Sequence, residues 1–245
     1  MPVKSSALLF VTLVALLVPV GTAFAGGAKG NYTETLLSNE RDTSRWAFVS
    51  AGSVSAWSRP GNAGRKLLTL TRRTPDGTSE LVLTLRERVY SNGSVWTEVR
   101  LPMRGADVRG WVSRSKLDKY RVIHTRIEID RAALTAKLFK NEQLIWQAPI
   151  AVGKSARPTP SGSFYVRNRL ETTDAKGRFG PFALGLSTSA SRRTDWPGGR
   201  TVGIHGTDRP KDIPGHTGDP CVRIKNDKLR GLFKLTPPGT PVKIN

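Results

Sequence analysis

Alternating apolar and polar residues, interrupted by short turn segments, occupy most of the chain beyond residue 45. An alternation with a period of two is typical of β-strands that bury one face. The clearest case is residues 123–130, in which Ile or Thr at every second position alternates with His, Arg, Glu and Asp. The pattern therefore predicts a mainly β protein, with Ile127 and Ile129 on a buried face.

In the first half of the chain, β-rich runs are separated by turns that contain Gly, Pro and Asn. The predicted strands are 46–49, 66–71, 80–88, 94–101 and 110–112. Several short strands in so few residues predict a small β-barrel over residues 45–118. Trp57, Trp96 and Trp111 are candidates for a binding groove or for the core, and we expect two of the three in the core.

The second half, residues 120–245, also reads as strands, with one helix near its end. The predicted strands are 123–130, 136–140, 144–153, 180–186, 201–204, 222–224 and 240–244, and residues 158–166 are predicted as a rigid turn that leads into a further strand. Residues 226–235 have helical spacing instead, because Leu229, Leu232 and Phe233 fall on one face. Asn226 or Asp227 is the expected N-cap.

Residues 1–25 have the composition of a secretory signal peptide. Lys4 precedes an apolar run, Ala7–Val20, and the small residues Ala23 and Ala25 precede a cleavage point. No second long apolar run follows, so we expect an exported protein with no stable membrane span after signal removal. An uncleaved N-terminal anchor is the alternative. The polar residues 26–44 are expected to form a flexible lead-in.

The charge of the chain changes this picture by implying an anionic partner. The formal net charge is +20, from 39 Lys and Arg against 19 Asp and Glu. The basic residues are scattered, and no interleaved basic and aromatic motif of a nucleic-acid-binding module is present, so nucleic acid is not the expected partner. For an exported protein the expected polyanions are those of the cell envelope. A basic surface that only maintains solubility is the alternative.

Cys221 is the single cysteine of the chain, and His205 stands sixteen residues before it. A histidine can take the proton of a thiol, and the thiolate can then attack an acyl carbon. A lone cysteine is more often an inert buried residue. Here its neighbours are polar and Gly-rich, which favours the catalytic interpretation. No metal site is expected, because neither HExxH nor CxxC spacing occurs.

Motifs between Tyr120 and Ile244 resemble the catalytic domain of L,D-transpeptidases of the YkuD type. They are residues 127–130, Ala151-Val152-Gly153-Lys154, residues 158–164, Ile204-His205-Gly206-Thr207, residues 221–227 and residues 239–244. The first half resembles a bacterial SH3-like domain through Trp96-Thr97-Glu98-Val99, Gly110-Trp111-Val112 and Leu117. Together the resemblances imply a small SH3-like barrel, as a peptide- or wall-binding module, followed by a β-rich transpeptidase domain with one short C-terminal helix.

The transpeptidase resemblance implies acyl transfer without a cofactor. In this family a cysteine thiolate attacks the amide after the third residue of a peptidoglycan stem peptide, a D-residue leaves, and an amine of a second stem takes the acyl group. By position, Cys221 resembles the nucleophile and His205 the base. Gly206 lies where a backbone carbonyl can orient the imidazole. Arg223 stands where the family has an arginine, and we expect it to bind a substrate carboxylate or a loop carbonyl.

The residues just before the cysteine depart from the family pattern. Gly218, Asp219 and Pro220 replace Ser or Thr, His and Gly. Pro220 has no N–H, so we expect the N–H groups of Asp219 and Cys221 to stabilise the oxyanion. A carboxylate at position 219 also disfavours a nearby thiolate unless the imidazole is charged. His216 is either a substrate contact or an exposed loop residue.

The expected function is therefore that of an exported peptidoglycan L,D-transpeptidase in the periplasm or cell wall. Its expected partners are stem peptides and anionic wall polymers. Two alternatives stay open. One is an L,D-carboxypeptidase, in which water takes the acyl group. The other is a non-catalytic peptidoglycan-binding protein, which the altered residues 218–220 favour.

Overall fold

The computed structural model describes residues 31–194, 196 and 199–245. These residues form two β-sheets, one α-helix and two short 3₁₀ turns. The predicted signal peptide and the first residues of the predicted lead-in lie outside the described residues. No helix in the described part of the chain is both long and apolar enough to cross a bilayer.

The N-terminal sheet is antiparallel and has eight strands. They are β1 (Tyr32–Leu36), β2 (Ser44–Phe48), β3 (Ser53–Trp57), β4 (Lys66–Thr71), β5 (Leu81–Tyr90), β6 (Val95–Arg100), β7 (Arg109–Ser113) and β8 (Arg121–Ile123). Their order is β4-β3-β7-β6-β5-β2-β8, with β1 also beside β5. The length of β5 lets its first half pair with β2 and its second half with β1.

The C-terminal sheet has nine strands, eight of which close into a barrel. They are β9 (Thr125–Asp130), β10 (Thr135–Lys140), β11 (Gln143–Gly153), β12 (Gly162–Glu171), β13 (Phe182–Ser189), β14 (Thr201–His205), β15 (Gly215–Thr217), β16 (Val222–Ile224) and β17 (Pro241–Ile244). The order is β10-β9-β17-β12-β13-β14-β16-β11-β15, and pairing of β10 with β11 closes the ring. Strand β15 lies outside the ring, against the end of β11.

The helix α1 (Asn226–Leu235) closes over the barrel core with the face that the sequence predicted. Leu229, Leu232 and Phe233 are buried, and the ring of Phe233 stacks on that of Phe182 with 4.5 Å between centroids. The predicted helix bounds are confirmed. The predicted alternation of β9 is confirmed as well, because Ile127 and Ile129 are fully buried in the same cluster.

Residues 32–36, which we predicted as part of a flexible lead-in, form strand β1 instead. Glu34 forms ion pairs with Arg86 and Arg88 of the neighbouring strand, at 3.1 and 2.7 Å. Burial raises the pKa of Glu34, but the hydrogen bond and charge of Arg88, with the charge of Arg86, outweigh it and hold this pKa below its ordinary value. Polar cross-strand pairs place this strand, so a search for apolar alternation misses it.

The predicted strand 123–130 is divided at His124. Residues 121–123 pair with β2 in the N-terminal sheet, whereas residues 125–130 belong to the barrel. The change of sheet therefore lies at residue 124 and not at residue 120. Strands β3 and β15 were not predicted. Strand β3 is rich in Ser and Ala, which are weak strand formers, and β15 has only three residues.

Two of the three tryptophans that were candidates for a binding groove are core residues, as expected. Trp96 and Trp111 are buried, while Trp57 is half-buried. Trp111 also receives the guanidinium of Arg88 over its ring, 4.5 Å from the centroid. This contact covers one face of the ring, so Trp111 does not present that face to a ligand.

The two sheets are joined by a shared hydrophobic cluster and by buried polar contacts. Tyr165 of β12 is fully buried in a cluster with N-terminal residues, which are Trp46, Leu81, Leu83, Leu85 and Ile123. Its hydroxyl donates a hydrogen bond to the Leu81 carbonyl at 3.0 Å. Beside it, Arg167 donates to the carboxylate of Glu80, whose side chain is only 2% exposed. The two domains therefore pack as one unit.

Candidate active site

His205 and Cys221 are neighbours because two short parallel strands lie side by side in the barrel. Strand β14 ends at His205, and Cys221 immediately precedes β16. Their register pairs Ile204 with Val222, and the N–H of Gly203 donates to the sulfur of Cys221 at 3.4 Å. A ring nitrogen of His205, the sulfur of Cys221 and a carboxylate oxygen of Asp219 all lie within 4.8 Å of one another.

The imidazole of His205 is held by backbone and by an aromatic ring. Its Nδ1 lies 2.7 Å from the carbonyl oxygen of Gly206. A carbonyl only accepts, so Nδ1 carries a proton and Nε2 is the basic nitrogen of the neutral ring. The ring of Phe179 packs edge-on against the imidazole, with 4.8 Å between centroids. We expected the Gly206 contact from the sequence, but Phe179 was not among the candidates.

The carboxylate of Asp219 caps the backbone at the cysteine. Its Oδ1 accepts a hydrogen bond from the N–H of Cys221 at 2.9 Å, and Arg157 lies 3.9 Å from its Oδ2. This corrects our expectation that the Cys221 N–H is open to a substrate oxyanion, because the side chain two residues earlier already accepts from it. The N–H of Asp219 itself stays a candidate donor.

The thiol of Cys221 is fully buried, so a substrate reaches the sulfur only after neighbouring groups shift. The two preceding residues line different cavities. Pro220 lines a cavity of about 560 Å³ between the two domains, which we call the interdomain cleft. Asp219 lines a cavity of about 360 Å³ that also contains four arginines, which we call the arginine-lined cavity. The two residues before the cysteine therefore line two cavities, neither of which is lined by Cys221 itself.

The arginine-lined cavity brings three predicted candidates, Arg223, His216 and Asp219, together with three arginines that were not predicted. Its basic residues are Arg157, Arg178, Arg209, Arg223 and His216, and its acidic residues are Asp212 and Asp219. Arg223 is half-buried and His216 is exposed. Such an excess of cations suits an anionic ligand. The other three arginines lie in loops. In the sequence they are marked only by being basic residues close to a family motif.

Asn226 supports the segment after His205 and was predicted in a different role. Its Oδ1 accepts a hydrogen bond from the N–H of Thr207 at 2.8 Å, and its amide donates to the Ala175 carbonyl at 3.4 Å. The predicted N-cap was wrong, because Lys225 occupies the N-cap position and makes no side-chain capping bond. Instead, the side chain of Asn226, the first residue of α1, forms a hydrogen bond with the segment that follows His205.

Comparison with protein-family models decides the class of this domain. Residues 124–244 match the model of YkuD, the L,D-transpeptidase catalytic domain. Residues 124–244 are a YkuD domain. The match begins at the residue where the chain leaves the N-terminal sheet. It contains every residue proposed above for the active site.

The YkuD domain is similar to two curated relatives from bacilli. The YkuD protein of Bacillus subtilis is 34% identical over 122 residues, which are 50% of this chain and 65% of that protein. The corresponding protein of Bacillus licheniformis is 33% identical over 119 residues, which are 49% of this chain and 64% of the relative. The chain thus spans slightly less than two thirds of the length of these relatives.

Two solved structures also resemble the YkuD domain. The catalytic domain of an Enterococcus faecium L,D-transpeptidase is 25% identical, with a TM-score of 0.40, covering 49% of this chain and 96% of the other. A Mycobacterium tuberculosis L,D-transpeptidase is 11% identical, with a TM-score of 0.41, covering 62% and 90%.

The chemistry available to the YkuD domain follows from its three clustered groups. A thiol beside an imidazole with a basic Nε2 can lose its proton to that nitrogen. Thiolate, imidazole and carboxylate are also ligand types of zinc, so a metal could bind at this cluster. Each group already has a backbone partner, namely Gly203 N–H, Gly206 C=O and Cys221 N–H. These contacts orient the cluster for proton transfer.

Proposed function

We propose that the protein is a peptidoglycan L,D-transpeptidase that uses Cys221 as its nucleophile. The observation that carries the proposal is the adjacency of Cys221 and His205 in a YkuD domain, with the imidazole oriented by the Gly206 carbonyl. Because Nδ1 donates its proton to the Gly206 carbonyl, Nε2 is the ring nitrogen that can accept a proton. An oriented base beside a thiol is the arrangement that nucleophilic catalysis requires.

The proposed reaction has two acyl-transfer steps. His205 takes the thiol proton, and the thiolate of Cys221 attacks the carbonyl carbon of the third residue of a stem peptide. The C–N bond breaks, the leaving D-residue takes a proton from the imidazolium, and a thioester forms. A side-chain amine of a second stem then attacks the thioester, loses a proton to His205 and releases the thiol. The backbone N–H of Asp219 stabilises the oxyanion.

The charges around the site support a substrate with free carboxylates. The arginine-lined cavity adjoins the cysteine through Asp219, and Arg223 is part of its wall. An arginine fork binds a carboxylate with two parallel hydrogen bonds. In the proposal Arg223 therefore binds one of the stem's several carboxylates, and His216, on the exposed rim of the same cavity, is a further contact.

The setting of the proposed reaction is the cell envelope. A YkuD domain and a net charge of +20 suit a protein that works against anionic wall polymers. The predicted signal peptide agrees with export. We also propose that residues 45–118 form an SH3-like module that binds peptidoglycan. The antiparallel sheet observed there, with Trp57 half-buried, supports this module.

The proposal is tested by intact-mass measurement of the protein after incubation with a tetrapeptide stem or with a carbapenem. We expect a covalent adduct on Cys221 with both, and none on Cys221→Ala. His205→Gln should slow adduct formation by a factor of about 10² to 10⁴, the usual contribution of a general base. The matched control is His124→Gln, which changes a histidine outside both the cluster and the arginine-lined cavity and should still acylate.

The acceptor decides between the proposal and its alternatives. If an added stem amine increases cross-linked product, the transpeptidase is supported. If the stem adduct is always released as free acid, whether or not an amine is present, the protein is an L,D-carboxypeptidase. A protein that binds sacculi, never acquires an adduct and is unaffected by Cys221→Ala would be a non-catalytic peptidoglycan-binding protein.

A further inference from the structure

The interdomain cleft has walls from both domains. One wall is the loop between β6 and β7, where Arg104, Gly105 and Ala106 line the cleft. The opposite wall belongs to the YkuD domain, and its lining includes residues 156–158, 160–161 and 188–192. Pro220, the residue before the proposed nucleophile, also lines it. The N-terminal domain therefore lines the same cavity as Pro220, which is the neighbour of Cys221 in sequence.

The loop between β6 and β7 is fixed against the YkuD domain by close backbone contact. The N–H of Ser163 donates to the Ala106 carbonyl at 2.7 Å. Gly162 has a φ of +137°, and a Cβ at this position would lie 2.2 Å from the Ala106 oxygen. Only glycine permits this approach. The wall of the cleft that the N-terminal domain supplies is therefore in place before a ligand arrives.

A buried arginine also holds the loop between β6 and β7 in place. Arg100 is almost fully buried and donates to the Ser163 carbonyl at 2.7 Å. It also pairs with Asp107 at 2.8 Å and with Glu40 at 2.7 Å. Burial raises the pKa of Asp107, but the hydrogen bond of Arg109 and the charge of Arg100 outweigh it and lower this pKa. Asp107 thus stays ionised and holds the loop at neutral pH.

The chemistry of the cleft favours an anionic ligand with hydrogen-bonding groups. Arg104, Arg157 and Arg192 line it, and no Asp or Glu is among its described lining residues. Thr188 also lines the cleft; the residue is 4% exposed, and its hydroxyl has no hydrogen-bond partner among the described residues. Buried hydroxyls normally have a partner, so an orphaned one beside a cavity indicates a ligand group.

We infer that the interdomain cleft is a binding site for the carboxylate-bearing stem peptide, with Arg104 of the N-terminal domain and Arg192 of the YkuD domain as its recognition residues. The inference rests on the proposed function for the identity of the ligand. It gives the N-terminal domain a direct part in substrate binding, in addition to any binding of that domain to the peptidoglycan of the cell wall. The volume of about 560 Å³ lies within the range of sites that hold small ligands.

The experiment measures equilibrium binding of a tetrapeptide stem by calorimetry in an unreactive Cys221→Ala background. Arg104→Ala and Arg192→Ala should each weaken binding about tenfold, the effect of losing one charge-assisted hydrogen bond. The matched control is Arg65→Ala, an exposed arginine of the N-terminal domain that does not line the cleft. It should bind as the background does. A stem whose carboxylates are amidated should bind all four proteins equally weakly.

The outcomes separate this inference from the proposed function. Equal affinity of Arg104→Ala, Arg192→Ala and Arg65→Ala for the acidic stem would overturn the cleft assignment, as would absence of stem binding in the background protein. If the stem binds through both arginines but never acylates Cys221 in the otherwise unaltered chain, the cleft stands and the transpeptidase proposal fails. Carbapenem acylation of Arg104→Ala with Cys221 retained checks that the active site is intact.

Discussion

At the scale of single residues, the carboxylate of Asp219 acts on Cys221 in two opposite ways. Its Oδ1 accepts from the N–H of Cys221 at 2.9 Å, and the carboxylate lies within 4.8 Å of the sulfur. The first contact fixes the backbone of the nucleophile. The second places a negative charge where a thiolate must form, which disfavours that thiolate. Asp219 therefore fixes the backbone at Cys221 and at the same time disfavours formation of the thiolate.

These two effects can be separated by Asp219→Asn, which keeps an oxygen that can accept from the Cys221 N–H but removes the charge. Without the charge the thiolate is easier to form, so we expect iodoacetamide to modify Cys221 at lower pH. The acid limb of the rate profile should move down by about one pH unit. The measurement is the rate of intact-mass modification between pH 5 and about pH 9, the range around an ordinary thiol pKa.

The control for this prediction is Asp212→Asn, because Asp212 lines the arginine-lined cavity without belonging to the cluster around the sulfur. Its profile should follow that of the unaltered protein. If Asp219→Asn and Asp212→Asn both leave the profile unchanged, the charge at position 219 has no part in setting the reactivity of the thiol.

The sequence predicted which residues meet at the site but not how their polar atoms are used. Cys221 and His205 could be paired because each belongs to a motif with a fixed place in the family. The capping of the Cys221 N–H by Asp219 could not be foreseen, since position 219 departs from the family pattern and its side-chain direction depends on the local backbone. Phe179 was missed because its contact with His205 is a tertiary one between residues of unrelated motifs.

At the scale of elements, the first residue of α1 supports the loop that follows His205. Asn226 Oδ1 accepts from the Thr207 N–H at 2.8 Å, and a Cβ at Gly206 would lie 2.2 Å from that same oxygen. The helix can approach this closely only because residue 206 is glycine. The carbonyl of Gly206, which orients the imidazole, is thus held in place from the helix side.

We therefore expect Asn226→Ala to loosen this loop. Loss of the acceptor should speed hydrogen exchange at the Thr207 amide, lower the free energy of unfolding by about 1 kcal/mol and slow acylation of Cys221. Asn226→Asp is the matched variant, because it retains an acceptor oxygen and places a negative charge at a helix N-terminus, where it is favourable. Unchanged exchange at Thr207 in Asn226→Ala would show that the loop does not depend on α1.

Elements were predictable where apolar periodicity determines them. Strand β9 and helix α1 bury the faces that their patterns indicate, and the bounds of α1 agree with the prediction. Strand β1 was missed because ion pairs of Glu34 place it, and β15 because three residues carry too short a pattern. The division at His124 was missed because the alternation continues unbroken while the chain passes from one sheet to the other.

At the scale of the whole molecule, the interface between the two domains depends on a buried charge that apolar patterning cannot reveal. The Glu80 side chain is 2% exposed and that of Arg167 is 15% exposed, and Arg167 Nε donates to Glu80 Oε1 at 2.8 Å. Beside them, burial raises the pKa of Tyr165, so its hydroxyl stays protonated and donates to the Leu81 carbonyl. Removing one member of a buried pair leaves the other charge uncompensated.

Glu80→Gln should consequently destabilise the protein far more than the same change at a surface pair. We expect a loss of about 3 kcal/mol in the free energy of unfolding, measured by urea titration, because Arg167 remains buried without its counter-charge. Glu128→Gln, which breaks a partly exposed pair with Arg126, should cost less than about 1 kcal/mol.

The unaltered chain should unfold in one transition because its domains share a cluster, and Glu80→Gln should separate this transition into two. Equal urea midpoints for the two variants would mean that the Glu80–Arg167 pair does not hold the domains together.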